Sequence, residues 1–325
     1  MLAHLSRQAN RPNYRFKRLF RNLYNPLFYE QLSTEASTII RLLQSHKVQP
    51  CQYQYAEILA QLIERILSAI YPGVAKQTTL HEDIIMPFLH DTWLFSCQIE
   101  RVNSHLTLNF LKDRIADEKF LTLVYELKEI GYLQPLLLKI AYLHVDKRIE
   151  QTFPQLTHAR IAHHFLFGMR CSKQNSLLYL KELNTMLEDT FGLQLHARGK
   201  SIYHRKESIP FCQYNLQLNG SVAFFIERKE LLKRLCASRV IRLGREGEVV
   251  TIHRSYLLHL KECEILAIYK RDYQRLMHRY RYASNRGLLR LSHHYLRESM
   301  LKTLAYKYRT TLKKIAKSWR ECRLY

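Results

Sequence analysis

Chain-breaking residues are scarce in this sequence, because its 325 residues include only nine glycines and eight prolines. Between the breaks, long stretches carry apolar residues at the spacing of one helix face. Each stretch ends at or near a glycine or a proline, as helices commonly do. The sequence therefore predicts a mostly helical chain, with its clearest helices at Tyr53–Tyr71, Leu106–Tyr132 and Asn175–Phe191.

Strand-like segments are fewer, short and concentrated in the middle of the chain, where turn residues separate them. They are Ala159–Met169, Leu193–His196, Ser201–His204, Pro210–Leu218 and Val249–His253. This order predicts a small antiparallel sheet among helices, followed by a purely helical C-terminal third. The fold class is therefore α+β and mostly helical.

The chain is strongly basic, with 51 Lys+Arg against 28 Asp+Glu and a formal net charge of +23. Hydrophobic residues make up 47%, which indicates a globular chain and not a disordered basic tail. A charge kept only for solubility would amount to a few units, whereas this one favours a polyanionic partner. Nucleic acid is favoured, and an anionic membrane surface is the second alternative. No apolar stretch reaches the roughly 20 residues of a membrane-spanning helix.

Cysteine and histidine spacing gives no sign of a metal site. The seven cysteines include no C-x-x-C pair, and the sixteen histidines include no H-E-x-x-H pattern. This spacing argues against zinc knuckles and against a disulfide framework, and it suits a reducing compartment. We expect neither a bound metal nor a cofactor.

The N-terminus is basic, with no acidic residue before Glu30. By composition alone it could be an organellar transit peptide. The alternative is that these cations belong to the mature protein and contact RNA. We prefer the second interpretation, because the family resemblance described below already begins near Tyr14. It predicts RNA contacts at Arg15, Lys17, Arg18 and Arg21.

The densest basic region is Ile265–Tyr325, which holds sixteen lysines and arginines but only three acidic residues. Its last predicted helix is Ser299–Arg320. Helical spacing places one apolar face at Leu301, Leu304, Tyr308, Leu312, Ile315 and Trp319. The opposite face holds Lys302, Tyr306, Arg309, Lys313, Lys317 and Arg320.

A solvated lysine-rich face is the ordinary explanation of such a stripe. Those faces usually interleave glutamate to form i,i+4 pairs, whereas here Glu298 and Glu321 only flank the stripe. A row of unpaired cations fits successive phosphates. In this region we predict RNA contacts at Arg286, Lys302, Lys307, Arg309, Lys313, Lys314, Lys317 and Arg320. Some of the interleaved tyrosines could stack on unpaired bases, although most are expected in the core; they are Tyr280, Tyr282, Tyr295 and Tyr306.

Three short patterns in residues 260–319 carry a family resemblance. The matching residues are Glu264, Ile265 and Tyr269 for E-I-I-x-x-Y; Tyr282, Ala283 and Asn285 for N-Y-Y-x-x-A-x-N; and Ser299, Lys302, Thr303, Leu304, Ala305, Lys307, Tyr308 and Arg309 for S-x-x-K-T-L-A-x-K-[HY]-[KR]-[ST]. Together they resemble the maturase domain, or domain X, of group II intron-encoded proteins.

The rest of the chain resembles the same family in the same order. The resemblance implies a degenerate right-hand reverse transcriptase fold, with remnants of fingers and palm and a helical thumb or maturase domain. It places an N-terminal RNA-binding element and the fingers remnant at 1–90. The palm remnant with its small antiparallel sheet follows at 91–222, and the maturase domain at 223–325.

The resemblance also locates the polymerase centre, where the residues are unsuitable. Polymerisation uses two Mg²⁺ ions held by aspartates. His163 and His164 replace the two aspartates of the family's Y-A-D-D hairpin, and Phe95 stands near the third position. Imidazole is a poor Mg²⁺ ligand, and neither Asp91 nor Glu100 has the expected spacing. We expect no polymerase activity, no catalytic residue and therefore no enzyme.

His163 and His164 could instead hold zinc or copper. Adjacent residues on a strand point to opposite faces, so the pair is not expected to chelate one ion. We expect one imidazole packed and the other exposed.

The resemblance implies an RNA-binding splicing cofactor that stabilises folded group II intron RNA. An alternative is a structural RNA-binding protein of an organellar ribosome or another ribonucleoprotein, since both roles need only RNA binding. The expected partner is thus group II intron RNA or ribosomal RNA, without a membrane, and a homodimer stays open. We expect an organellar location, with the chloroplast favoured over the mitochondrion.

Overall fold

The computed structural model describes residues 1–11, 13–29, 36–44, 53–74, 80–99, 104–244 and 247–319. Its helices are α1 (Leu2–Ala9), α2 (Ala36–Gln44), α3 (Tyr53–Ile70), α4 (Glu82–Ile85), α5 (Ser104–Arg114), α6 (Glu118–Glu129), α7 (Gln134–Thr152), α8 (Lys173–Phe191), α9 (Arg228–Ala237), α10 (Glu262–Arg279), α11 (Gly287–Lys307) and α12 (Leu312–Ser318). None of these helices is long and apolar enough to cross a membrane.

The strands are short and antiparallel. They are β1 (Trp93–Ile99), β2 (Thr157–Ile161), β3 (His164–Met169), β4 (Leu195–Ala197), β5 (Tyr203–His204), β6 (Ile209–Phe211), β7 (Tyr214–Gln217), β8 (Ala223–Phe225), β9 (Ile241–Leu243) and β10 (Val249–Thr251). The predicted fold class, mostly helical with antiparallel strands, is confirmed at this level.

The chain divides into two compact units. The first comprises Met1–Leu80 and Cys97–Ala197, and the second comprises His81–Ser96 and Arg198–Tyr325. The three-domain division into 1–90, 91–222 and 223–325 stays a prediction.

The first unit is built around α3, whose inner face is fully buried at Leu62, Ile63, Ile66, Leu67 and Ile70. Burying each such side chain contributes roughly 1.5–3 kcal/mol. Helices α1 and α6 pack against α3, and α5 packs against α7. The helix predicted at Tyr53–Tyr71 is confirmed as α3. Apolar spacing and Pro72 made it predictable. The helix predicted at Asn175–Phe191 is confirmed as α8, which Gly192 ends at φ +61°.

The helical region predicted at Leu106–Tyr132 is confirmed, but it holds two helices, because the chain breaks between α5 and α6. Asp117 caps α6, accepting a hydrogen bond from the Phe120 N–H at 3.2 Å. Its other oxygen accepts from the Phe20 N–H at 2.9 Å. A backbone bridge joins Phe16 to Ile115 beside it. Asp117 thus starts a helix and anchors the basic N-terminal element.

One sheet has the strand order β2-β3-β1-β4, and the first unit contains β2, β3, β4 and the end of β1 from Cys97. Strands β2 and β3 form a hairpin in which Ile161 pairs with His164, so Ala162 and His163 form the two-residue turn. Ala162 has φ +53°, as such turns require. The end of β1 lies beside this turn, since the Ile99 N–H donates to the His163 carbonyl at 3.0 Å. In the second unit, Trp93 and Leu94 pair with β5.

The second unit contains a three-stranded sheet, β6-β7-β8, and a separate hairpin, β9-β10. The expectation of a purely helical C-terminal third is therefore wrong. Strand β9 packs against α9 and strand β10 against α11. Ile241 and Thr251 are buried there. The two strands have only three residues each, so burial against the helices is what stabilises this hairpin.

The last predicted helix, Ser299–Arg320, is also wrong, because two helices replace it. The Thr310 N–H donates to the Ala305 carbonyl and the Arg309 N–H to the Tyr306 carbonyl, which is a Schellman motif. Arg309 has φ +48°, a position usually taken by glycine. Leu301, Leu304 and Ile315 are buried as predicted. Tyr308 and Leu312, predicted on the same face, are 45% and 36% exposed, because the turn rotates them outward.

A buried arginine connects the helices of the second unit. The Arg254 side chain is 1% exposed, and its guanidinium donates to the Asp272 carboxylate at 2.7 Å. The guanidinium also lies 4.4 Å from the ring centroid of Tyr269. The Tyr269 hydroxyl is hydrogen-bonded to Ser299 at 2.9 Å and to Thr303 at 3.0 Å. The segment after β10 is thereby joined to α10 and α11.

We predict that Asp272→Asn destabilises the second unit by about 3 kcal/mol, because it leaves a buried guanidinium without its counter-charge. Urea unfolding followed by circular dichroism measures the change. Arg275→Gln is the matched control, since exposed Arg275 approaches Asp272 only to 3.8 Å and its removal should cost less than about 1 kcal/mol. Equal stability of the Asp272→Asn variant and the parent would contradict the structural role given to this ion pair.

Candidate nucleic-acid interface

The predicted N-terminal contacts lie on an anchored, irregular segment of the first unit. Phe16, Leu19 and Leu23 are buried, and the intervening cations face outward. The exposed cations are Arg15, Lys17, Arg18 and Arg21. The Arg15 guanidinium donates to the Lys112 carbonyl at 2.9 Å, which fixes one end of the segment. RNA contact by these four residues stays a prediction.

Two of the C-terminal lysines predicted to contact RNA are used inside the second unit. The Lys302 ammonium donates to the Thr251 carbonyl at 2.9 Å and to its hydroxyl at 2.6 Å, and it pairs with Glu298 at 3.0 Å. The Lys307 ammonium donates to the carbonyls of Leu258 and Leu260, both at 2.8 Å. The description of the stripe as a row of unpaired cations is therefore wrong for Lys302. Lys307, which was predicted as an RNA contact outside the stripe, is also engaged within the fold.

Despite partial burial, the pKa of the Glu298 carboxyl group is lowered by its contacts with Lys302 and Thr251. Burial alone would raise its pKa, but hydrogen bonds from Lys302 and Thr251, together with the Lys302 charge, outweigh burial and lower the pKa. A lowered pKa in the folded state stabilises the fold above the unfolded pKa, and this stabilisation is lost as the pH falls through the folded pKa. At neutral pH the Glu298–Lys302 pair is therefore a fixed part of α11.

The other predicted cations that the structure describes in this region are exposed. They are Arg286, Arg309, Lys313, Lys314 and Lys317. Within the described residues, no side-chain hydrogen bond or ion pair engages them. Arg320 lies outside the described residues. Because Arg309 is in the turn and the lysines follow on α12, the exposed charge is distributed over two elements and not along one helix.

The sequence reasoning missed a second set of cations, on α10. Arg271, Arg275 and Arg279 recur every four residues and are all exposed, and we call them the arginine face. They line a groove of about 730 Å³, to which α9 contributes Arg234. The only acidic residue among the described lining residues is Asp272, whose carboxylate binds Arg254. The i,i+4 spacing was visible in the sequence, but it was counted only as part of a dense basic region.

Of the four tyrosines considered for base stacking, Tyr306 is the exposed one, at 60%. Its ring is stacked on His253, with centroids 4.3 Å apart and planes 10° apart. Tyr280 is fully buried, and Tyr282 and Tyr295 are half-buried. The expectation that most of these tyrosines are core residues is confirmed for Tyr280 and in part for the two others.

The two histidines of the β2-β3 hairpin lie close together. His163 is in the turn and not on the strand, so its ring is not forced to the face opposite His164. The ring centroids are 4.1 Å apart, and the expectation of opposed side chains is wrong. His163 is exposed and His164 half-buried. Among the described residues, no group of three or more His, Cys, Asp or Glu side chains is arranged to hold a metal ion.

Three other residues lie in sequence near the expected polymerase centre. Phe95 on β1 is 7% exposed, and Asp91, which precedes that strand, is 1% exposed. Glu100 lies outside the described residues.

Comparison with known proteins gives a match in the region of the arginine face. Residues 228–319 match the family model of the type II intron maturase. The group II intron-encoded protein LtrA of Lactococcus lactis subsp. cremoris is 24% identical over 182 residues, which cover 50% of this chain and 30% of LtrA. LtrA of strain MG1363 matches to the same extent. The match therefore spans less than a third of these relatives' own length.

We predict that replacing the three residues of the arginine face by glutamine weakens binding to a structured RNA and flattens its salt dependence. Each lost phosphate contact should reduce the slope of log Kd against log salt by roughly 0.7–0.9. Fluorescence anisotropy at several salt concentrations measures both quantities.

The matched control replaces Arg228, Lys229 and Lys233 of α9 by glutamine, which removes the same charge from residues that do not line the groove. An equal loss of slope in both variants would show that only net charge matters.

Proposed function

From the premise that this chain is a relative of the group II intron maturases, with the type II intron maturase domain at residues 228–319, we propose that it is an RNA-binding splicing cofactor. It stabilises folded group II intron RNA, and the RNA itself performs the splicing chemistry. The observation that carries this proposal is the arginine face, because it presents three exposed cations within the matched domain.

Electrostatics support an RNA partner for this surface. Four arginines line the groove, and its single described carboxylate already binds a buried guanidinium. Arginine donors match the oxygens of phosphate groups in geometry as well as in charge. The chain as a whole carries +23, so the attraction extends beyond individual contacts. The groove would therefore bind the phosphate backbone of an RNA.

We further propose that residues 91–222 are a palm remnant without polymerase activity. The order β2-β3-β1-β4 puts the hairpin turn beside the end of β1, where the family resemblance places the polymerase centre. His163 lies in that turn, His164 is the first residue of β3, and Phe95 lies on β1. Polymerase Mg²⁺ ions need oxygen ligands, which these three side chains lack.

The intron partner, the splicing activity and the location of the protein all belong to this proposal, because the relatives are matched over less than a third of their length. Organellar location, with the chloroplast favoured over the mitochondrion, rests on the resemblance alone. The alternative of a structural ribonucleoprotein component is distinguished by the RNA that the protein contacts.

We predict that ultraviolet crosslinking in the native cell, followed by sequencing of the bound RNA, recovers reads from group II intron domains. A variant without the arginine face, expressed at the same level, should lose those reads selectively. Reads concentrated in ribosomal RNA would instead identify a structural ribosomal component and overturn the splicing proposal.

We predict no primer extension on an RNA template in the presence of Mg²⁺, because the hairpin offers imidazoles where carboxylates are needed. The control is a reverse transcriptase assayed on the same template. Product that depends on both template and Mg²⁺, and that persists in a His163→Ala/His164→Ala variant, would show that a polymerase site exists elsewhere in the chain.

A further inference from the structure

A second concave surface lies where α11, the Arg309 turn and α12 meet the end of β10. It has a volume of about 700 Å³, and we call it the Tyr306 pocket. The residues used below are His253, Lys302, Tyr306, Arg309 and Leu312, all of which line it. Pockets of roughly 300–1,000 Å³ hold small molecules, so this one suits a single nucleotide and not a duplex.

The aromatic wall of the Tyr306 pocket is prepared for stacking. His253 covers one face of the Tyr306 ring at 4.3 Å and 10°, which fixes the orientation of that ring. Tyr306 is nevertheless 60% exposed. With one face covered, this exposure comes from the opposite face and the ring edge. An aromatic face held rigidly and open to solvent is what an unstacked base needs.

Two cations border this aromatic wall. Thr251 and Glu298 hold the Lys302 ammonium in place. Arg309 is exposed, and within the described residues no hydrogen bond or ion pair engages its guanidinium. No acidic residue is among the described residues that line the pocket. The pocket therefore combines a stacking surface with positive charge, which are the two features that bind a nucleotide through its base and its phosphate.

The backbone at Arg309 has a conformation that glycine would adopt at less cost. Its φ of +48° lies in the left-handed region, and the Schellman motif at this position is normally closed by glycine. Arginine at such a position strains the backbone. A glycine would close α11 with less strain but would remove the guanidinium from the pocket.

We propose that the Tyr306 pocket takes one unpaired nucleotide of a bound RNA, with the base stacked on the open face of Tyr306 and the phosphate at Arg309. The inference rests on the proposed RNA binding and makes it more specific. The arginine face would follow the backbone, whereas this pocket would select a place where a base is unpaired. Leu312, which is 36% exposed, gives the base an apolar edge to pack against.

The test compares an RNA hairpin carrying one bulged 2-aminopurine nucleotide with the same hairpin without the bulge. The full-length protein should bind the bulged hairpin more tightly by roughly five- to hundredfold, the range for stacking of one base on an aromatic side chain. The fluorescence of 2-aminopurine should fall on binding, because stacking quenches it.

Tyr306→Ala should abolish the preference and the quenching while affinity for the continuous hairpin is kept. Tyr306→Phe should retain both, since it keeps the ring. Arg309→Gly should weaken binding of the bulged hairpin, with a thermal midpoint equal to or above that of the parent protein. This combination separates loss of a ligand contact from loss of fold.

Arg239→Gly is the matched control for Arg309. Arg239 has φ +54° and closes α9 through the same hydrogen bonds, from the Arg239 N–H to the Cys236 carbonyl and from the Val240 N–H to the Leu235 carbonyl. It does not line the Tyr306 pocket. Its replacement should change charge and backbone strain in the same way but keep the preference for the bulge.

Equal affinity of the parent protein for both hairpins, or a preference that survives Tyr306→Ala, would overturn this inference while the proposed function stands. Crosslinking to ribosomal RNA together with a preserved bulge preference would overturn the splicing proposal and leave the Tyr306 pocket in place.

Discussion

The arrangement of the second unit depends on the buried ion pair between Arg254 and Asp272. Removing a guanidinium from water is costly, and only a close counter-charge and a well-placed aromatic face offset that cost. Arg254 has both, since the Asp272 carboxylate lies 2.7 Å from its guanidinium and the centroid of the Tyr269 ring lies 4.4 Å from it. Because Tyr269 also binds two hydroxyls of α11, one interaction sets the position of α10 relative to α11. The outward projection of the arginine face follows from that position.

The chain separates its cations into an internal and an external set. Arg254, Lys302 and Lys307 are bound to carboxylate or carbonyl oxygens of the second unit. The arginine face, Arg309 and the lysines of α12 point outward. A formal charge of +23 therefore overstates the number of phosphates that the protein can contact at once. The internal cations have a structural role, because they hold in place the elements that carry the external ones.

Local signals made part of the fold predictable from the sequence. Helix α3 and helix α8 combine apolar spacing with a nearby proline or glycine, and both were predicted within a few residues. The breaks at Asp117 and Arg309 were not predicted, because no glycine or proline marks either position, although the capping hydrogen bonds are local. Strand β1 was not predicted, because its burial on both faces removes the alternation of apolar and polar residues that marks a strand. For the candidate site, the carbonyl acceptors of Lys302 and Lys307 lie 47–51 residues away, so sequence spacing within α11 could not reveal them. The pairing of Lys302 with Glu298 has i,i+4 spacing and was visible in the sequence.

The burial of Arg254 has a practical consequence for handling the protein. Salt screens exposed charges over a distance of about 10 Å at 0.1 M, whereas buried pairs are screened much less. Ionic strengths that detach nucleic acid from the arginine face should therefore leave the Arg254–Asp272 pair intact. A high-salt wash during purification can strip adhering cellular RNA from a protein that stays folded, so its binding can be measured from an RNA-free starting state.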